Sequence, residues 1–218
     1  MGYAAYNRWH RDAYRVARRL HEEIRFDLTH QVNFCGYREP GYLWKLPVPF
    51  IWGPIGGTQN YPWRFLSEAS WKGAIRETVR SVINLAQLKW GLRVRKAAKK
   101  ASTVLAANTT IQRDLNRSLG VNSELLLETG ISSIAEQPGG STSQQLNILW
   151  VGDLNTWKAL PLLLKALSQT PGNVDYRVRV LGRGPLEHSW KKIATKLGVA
   201  ERITWMGWLP HQEALQQF

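Results

Sequence analysis

The sequence predicts an α/β protein of two domains with parallel sheets, and three observations carry that expectation. Leu146–Val151 alternates too little for a half-exposed strand and is too short for a buried helix, which is the signature of a buried parallel strand. Strand-like runs here end in glycine (Gly53, Gly152, Gly182), and leucine-, alanine- or lysine-rich stretches of helical period come after them. Between the two groups of such units lies Gly130–Ser143, a polar stretch rich in Gly, Ser and Pro that reads as a linker.

Taken in order, Tyr3–Ile24 spaces Tyr6, Trp9, Ala13, Val16, Ala17, Leu20 and Ile24 three or four apart, the period of an amphipathic helix. Arg8, Arg11, Arg15, Arg18 and Arg19 fall on its other face. An α/β domain normally opens on a strand, so a chain opening on a crossover helix is expected to lack its first βα units. Phe26–Phe34 reads as a strand delivering His30 and Asn33 near its carboxyl end, where open α/β sheets bind ligands. By itself a lone histidine on a strand is an ordinary, partly buried side chain.

Gly36–Leu46 reads as a short helix with a breaker and Val48–Trp52 as a buried strand. Gly53, Gly56 and Gly57 in the following GPIGG let the backbone take positive φ and approach a ligand closely, or simply make a tight turn. Thr58, Gln59, Asn60 and Trp63 give the next loop a composition suited to sugar hydroxyls and ring faces. Trp71–Ala101 reads as one long helix with an apolar face of Trp71, Ile75, Val79, Val82, Ile83, Ala86, Trp90 and Val94. It carries nine basic residues against one acid, Glu77, so it suits either an anionic lipid surface or a sheet that needs the apolar face and leaves a solvated basic back.

Ser102–Ala107 is the next expected strand, Thr109–Leu119 a helix stopped by Gly120, and Glu124–Leu127 a further strand. The domains are therefore drawn as residues 1–135 and 146–218, with 136–145 as linker. In the second, Lys158–Leu167 is helical, with Pro161 tolerated in its first turn. A helix N-terminus beside the carboxyl end of Leu146–Val151 is a place for anions, to which Lys158 adds a full charge. Tyr176–Leu181, GRGP at Gly182–Pro185, and Leu186–Leu197 repeat the strand, loop and helix; Ile203–Met206 and Gly207 begin a third unit.

Composition narrows the partners. Lys and Arg outnumber Asp and Glu by 29 to 16, a net charge of +13 that implies an anionic partner without choosing among phosphorylated ligands, lipid and nucleic acid. A single cysteine, Cys35, excludes an internal disulfide framework, offers no metal cluster and fits a reducing, cytoplasmic compartment. No apolar run approaches the ~20 residues that span a bilayer, and Met1 is not followed by a secretion signal.

WVGDLNTWKALPLLLKAL, then VRVLGRGPL, then ITWMGWLPHQEAL resembles the start of the donor-binding domain of family 4 (group 1) glycosyltransferases, enzymes of the GT-B fold. FDLTH is similar to a segment of the same family, and PFIWGPIGGTQNYPWRF to the GPxGG loop of one of its branches. The resemblance implies two Rossmann-like domains, both incomplete in this chain, and retaining, metal- and cofactor-independent transfer of a sugar from a nucleotide-diphosphate donor. Donor phosphate would be met by Gly152, Asp153, Lys158, Gly182, Arg183 and Gly184, and the acceptor, a carbohydrate or lipid-linked molecule, by Asn33, Gly53, Gly56, Gly57 and Thr58. His30 becomes the candidate catalytic or acceptor-site residue.

The departures from the family count as well. Its paired glutamates would lie beyond Phe218, so this polypeptide is expected to be a fragment without turnover. Asp153 stands where the family usually has Arg, and Arg183 where an acid is common, which suggests that the two pair with each other. Two other classes stay open: a polyanion- or membrane-surface-binding protein with a degenerate sugar-nucleotide site, and a sugar-nucleotide epimerase on the same fold. Nucleic acid is not the expected partner, and attachment, if any, is peripheral at the inner membrane face.

Overall fold

The computed structural model describes residues 3–32, 36–130 and 145–217. The chain forms two compact units, one of Met1–Asn60 with Glu77–Ile134, the other of Tyr61–Arg76 with Ala135–Phe218. The expected linker at 136–145 lies, but for Gln145, outside the described residues. Sequence reading assigned Tyr61–Arg76 to the first domain; its contacts group it with the second.

In the first unit α1 (Tyr3–Ile24) precedes a four-stranded sheet of β1 (Thr29–Gln31), β2 (Phe50–Ile55), β3 (Thr103–Ala106) and β4 (Ser123–Leu125). The order is β1-β2-β3-β4 and every pairing is parallel, as expected. Strands β2 and β3 connect through α2 (Trp71–Trp90) and α3 (Leu92–Lys100), and β3 and β4 through α4 (Thr109–Leu119). Asn108 caps α4 by accepting the Ile111 N–H at 3.0 Å, and Gly120 closes it in the left-handed region at φ 68°. Phe50, Trp52, Val104, Ala106, Ile111 and Leu115 form the buried centre of this unit.

The Trp71–Ala101 helix departs from expectation in two ways. It breaks at Gly91, where a Cβ would lie 2.4 Å from the Gln87 carbonyl oxygen, so the chain turns there into α3. More consequentially, α2 buries Gly73, Glu77, Asn84 and Leu88 and leaves Trp71, Ile75, Val79, Val82, Ile83 and Trp90 exposed. The sheet therefore does not use the apolar face. Polar residues can occupy the inner stripe because each finds a partner: Arg80 bonds Glu77 at 2.6 Å, and Asn84 is held by Tyr37, Arg38, Thr58 and Asn60.

The second unit has a sheet ordered β5 (Leu146–Val151), β6 (Tyr176–Leu181), β7 (Ile203–Gly207), again all parallel. Its crossovers are α5 (Leu160–Ser168) and α6 (Glu187–Lys196), and α7 (His211–Leu215) follows β7. Leu154, Leu160, Leu164, Val178, Val180 and Ala194 are fully buried, and Trp150 meets Trp190 edge-on at 6.1 Å between centroids. Strand β5 is an edge strand of the described sheet, with Leu146 52% exposed, rather than the fully buried strand its composition suggested. Tyr61–Arg76 packs on this unit through a Lys165–Glu68 ion pair at 2.5 Å and through Arg76 stacked over the Trp157 ring. None of the described helices is long and apolar enough to cross a membrane.

Candidate functional site

The first group of candidate residues sits where β1 and β2 end side by side. His30, opposite Ile51 in the register, is exposed and places Nε2 2.8 Å from the Gly53 carbonyl oxygen. Only glycine fits at 53: φ is +129° and a Cβ would stand 2.3 Å from the Leu105 carbonyl oxygen of β3. Gly53, Pro54 and Ile55 thus complete β2, and the loop proper starts later than the motif suggested. Gly56 bridges Gly36 and accepts the Tyr37 N–H, and Gly57 turns the chain at φ +79°. Thr58 is buried, donates to Asp114 at 2.8 Å, and accepts from Asn84 Nδ2 at 2.6 Å. Asn33 lies outside the described residues.

Sequence reading missed His10 and Asn84, because neither belongs to a motif and both are recognisable only by burial. His10 is 3% exposed, its Nε2 has no hydrogen-bond partner among the described residues, and with His30 it lines a cavity of about 140 Å³. Burial, and secondarily the charge of Arg93, lowers its pKa below the ordinary histidine value. The neutral ring is therefore the folded form. Because the unfolded chain binds this proton more readily, stability should fall as pH drops through the unfolded value near 6.5 and level off below the folded one. Urea midpoints across that range should show the slope in the native chain and lose it in His10→Phe.

The second group lies at the carboxyl edge of β5, β6 and β7. The backbones of its two glycine loops touch directly. Leu154 N–H donates to the Arg183 carbonyl at 3.0 Å, Gly152 N–H to Leu181, and Gly182 N–H to Gly207 at 2.7 Å. A Cβ on Gly182 would lie 1.9 Å from the Gly152 carbonyl oxygen, and one on Gly184 2.4 Å from that of Leu154. Lys158 closes a 3-10 turn, Thr156–Lys158, and its aliphatic chain passes within 3.5 Å of a Cβ built on Gly152. Ala159 at φ +48° then leads into α5, with Pro161 at the helix start. Asp153, Lys158 and Arg183 are all exposed.

The expected Asp153–Arg183 pair is not formed. Among the described residues neither side chain takes part in an ion pair within 4.0 Å, and the Arg183 Nε lies near Gly207 instead, 3.8 Å from a Cβ built there. The loops are held together by backbone hydrogen bonds, which frees both side chains to point into solvent. Asn155 is a further residue that the motifs did not single out: it is buried, and its Oδ1 has no hydrogen-bond partner among the described residues. A cavity of about 250 Å³ in this unit is lined by Tyr61, Glu68, Thr156 and Trp190 but not by Gly152, Lys158 or Arg183, so the glycine loops form an open shelf beside it.

Residues 134–218 match the family model described as glycosyl transferases group 1. Among solved structures, the lipopolysaccharide outer core galactosyltransferase WaaB in its apo form is similar over 95% of this chain and 51% of its own, at 14% identity and a TM-score of 0.63. A glycosyltransferase from Rickettsia africae ESF-5 is similar over 94% of this chain and 53% of its own, at 14% identity and a TM-score of 0.56. Anabaena Alr3699/HepE in complex with UDP is similar over 89% and 51%, at 15% identity and a TM-score of 0.53. A search of the curated proteins found no match. The chain spans about half the length of the solved structures it resembles. Its two parallel-sheet units have the GT-B fold of these enzymes. The match to the group 1 glycosyl transferases thus lies in the part of the chain that holds β5 to β7 and the two glycine loops.

Proposed function

We propose that this chain is part of a retaining, metal-independent glycosyltransferase that moves a sugar from a nucleotide-diphosphate donor to a carbohydrate or lipid-linked acceptor. The bond from the anomeric carbon to phosphate oxygen breaks, the bond from that carbon to an acceptor hydroxyl forms on the same face, and the nucleoside diphosphate leaves. No cofactor takes part. The diphosphate would rest on the shelf of Gly152, Gly182 and Gly184, with Lys158 and Arg183 supplying positive charge and Asp153 close by as an opposing charge. The acceptor would meet Gly56, Gly57, Thr58 and Asn33, with His30 at the end of β1 placed to take the hydroxyl proton.

The observation that carries this reading is the backbone-on-backbone packing of two glycine loops at one carboxyl sheet edge, with Lys158 laid across the first. UDP bound to Anabaena HepE supports a nucleoside diphosphate as the ligand class. Calorimetric titration of the 218-residue chain should detect binding of UDP or GDP, weakened about tenfold by Lys158→Ala, as expected for one charged hydrogen-bonding group. Absence of affinity for either nucleotide would remove the donor-site assignment.

A second reading, a polyanion- or membrane-surface-binding protein with a degenerate sugar-nucleotide site, draws on the basic stretch Trp71–Ala101. Salt-sensitive binding to liposomes or oligonucleotides without nucleotide affinity would select it. Under either reading the protein would work in the cytoplasm, peripheral to the membrane.

A further inference from the structure

A polar group buried without a hydrogen bond destabilises the fold, so a buried nitrogen that the protein leaves unpaired marks a place where something else supplies the partner. His10 has such a nitrogen. Packing fixes its ring: Tyr6 meets it edge-on at 4.4 Å between centroids, Trp9 lies at 5.0 Å, and a Cβ built on Gly41 would stand 3.0 Å from its Nδ1. Nε2 has no partner among the described residues, and the cavity that His10 shares with His30, about 140 Å³, is several times what one water needs.

The walls select the occupant. Trp9 offers a half-exposed ring face, Val32 and Leu43 offer aliphatic surface, and His10, His30 and Gln31 bring polar atoms. Among the described residues no acid, lysine, arginine or thiol lines the cavity. A phosphate or carboxylate would therefore meet no cation there, since the buried His10 ring is neutral. A metal ion would find two histidines at most, and the His30 Nε2 is already engaged: a carbonyl only accepts, so the nitrogen 2.8 Å from the Gly53 oxygen carries the proton. A wholly apolar group would leave the His10 nitrogen unsatisfied. A neutral ring with a C–H face and hydroxyls meets every wall, and because Trp9, His30 and Val32 are exposed, one edge of it can enter.

We propose that this cavity is a subsite for a neutral hexopyranose of the acceptor, which stacks on Trp9 and hydrogen-bonds the His10 Nε2 through a hydroxyl next to the one that faces His30. His10 then selects for a hydroxyl at one ring position, because a sugar lacking it leaves the buried nitrogen unpaired. The proposal rests on the acceptor half of the proposed function and is independent of the donor shelf.

The test is proton–nitrogen NMR of the 218-residue chain labelled with nitrogen-15 at its five histidines, titrated with the methyl glycosides of glucose, galactose and mannose. At least one should shift the His10 and His30 ring nitrogens together and saturably, and its deoxy analogue at one position should not. His10→Phe, which keeps a ring in the packed space, should weaken binding about tenfold; His10→Gln, which restores a hydrogen-bonding group, should recover part of the loss. Trp9→Ala, at an accessible position, should weaken it about fivefold. Circular dichroism should be unchanged in all three. UDP titrated into the same samples reads the donor site separately, so UDP binding without a hexoside response overturns the subsite alone, and a hexoside response without UDP binding supports the subsite while removing the donor assignment. Undiminished hexoside binding by His10→Phe, or a response to glycerol, inorganic phosphate or zinc ion as strong as that to any hexoside, would also overturn the proposal. So would a response to UDP-glucose but to none of the methyl glycosides, since the cavity would then serve the donor's sugar.

Discussion

Replacing Asn84 with alanine should destabilise the first unit by about 3 kcal/mol, the sum of two to three buried hydrogen bonds with partners left unsatisfied. Asn84 is fully buried on α2 and gathers the ends of three segments. Its Nδ2 donates to the Thr58 carbonyl at 2.6 Å and to Asn60 Oδ1 at 2.9 Å, and its Oδ1 accepts from Arg38 at 2.7 Å. The Tyr37 hydroxyl lies 2.8 Å from the Asn84 carbonyl and 2.7 Å from Oδ1, so its one proton serves either. Alanine gains a little helix propensity but strands the Thr58 carbonyl and removes the Oδ1 acceptor of Arg38, while the Tyr37 hydroxyl keeps the backbone carbonyl of residue 84. The loop from Gly56 to Asn60 should loosen with it. Urea unfolding of Asn84→Ala beside Thr58→Val, which removes only the Asp114 contact and should cost about 1 kcal/mol, provides the comparison. If the two variants lie within about 0.5 kcal/mol of each other, Asn84 is not the clamp.

Gly182→Ala should have a larger effect in the second unit, about 4 kcal/mol or more. The methyl would be driven to 1.9 Å from the Gly152 carbonyl oxygen and 2.9 Å from its carbon, and both are backbone atoms held by the β5–β6 ladder. Its φ of +141° is also one that L side chains avoid. The strand ends must separate to admit it, which breaks the Leu154 to Arg183 and Gly182 to Gly207 hydrogen bonds and flattens the proposed phosphate shelf. Hydrogen exchange should accelerate at the amides of Val178 and Val180, and nucleoside-diphosphate binding should disappear. Undiminished protection at those amides would mean the loops can re-route around a methyl group.

What the sequence determined is local. The helices Tyr3–Ile24 and Thr109–Leu119 and the strands Leu146–Val151 and Tyr176–Leu181 were read to the residue, because period, capping residues and breakers act within a turn or two of the chain. The glycines at the strand ends were legible for the same reason: the conformations they adopt are ones in which other residues clash. Parallel pairing followed from the strand, loop and helix alternation.

What only the tertiary structure decided depends on residues far apart in the chain. Periodicity shows that α2 is two-faced but not which face goes inward. That choice rests on partners for Asn84 that lie 24 to 47 residues away and can satisfy a polar stripe. The same limit hid the grouping of Tyr61–Arg76 with the second unit and the burial of His10. It also misled the Asp153–Arg183 pairing, since adjacent strands bring loop backbones together while each side chain's direction is set by its own φ and ψ. Complementary charges at neighbouring strand ends carry no geometric constraint, whereas a missing Cβ at a crowded backbone contact does.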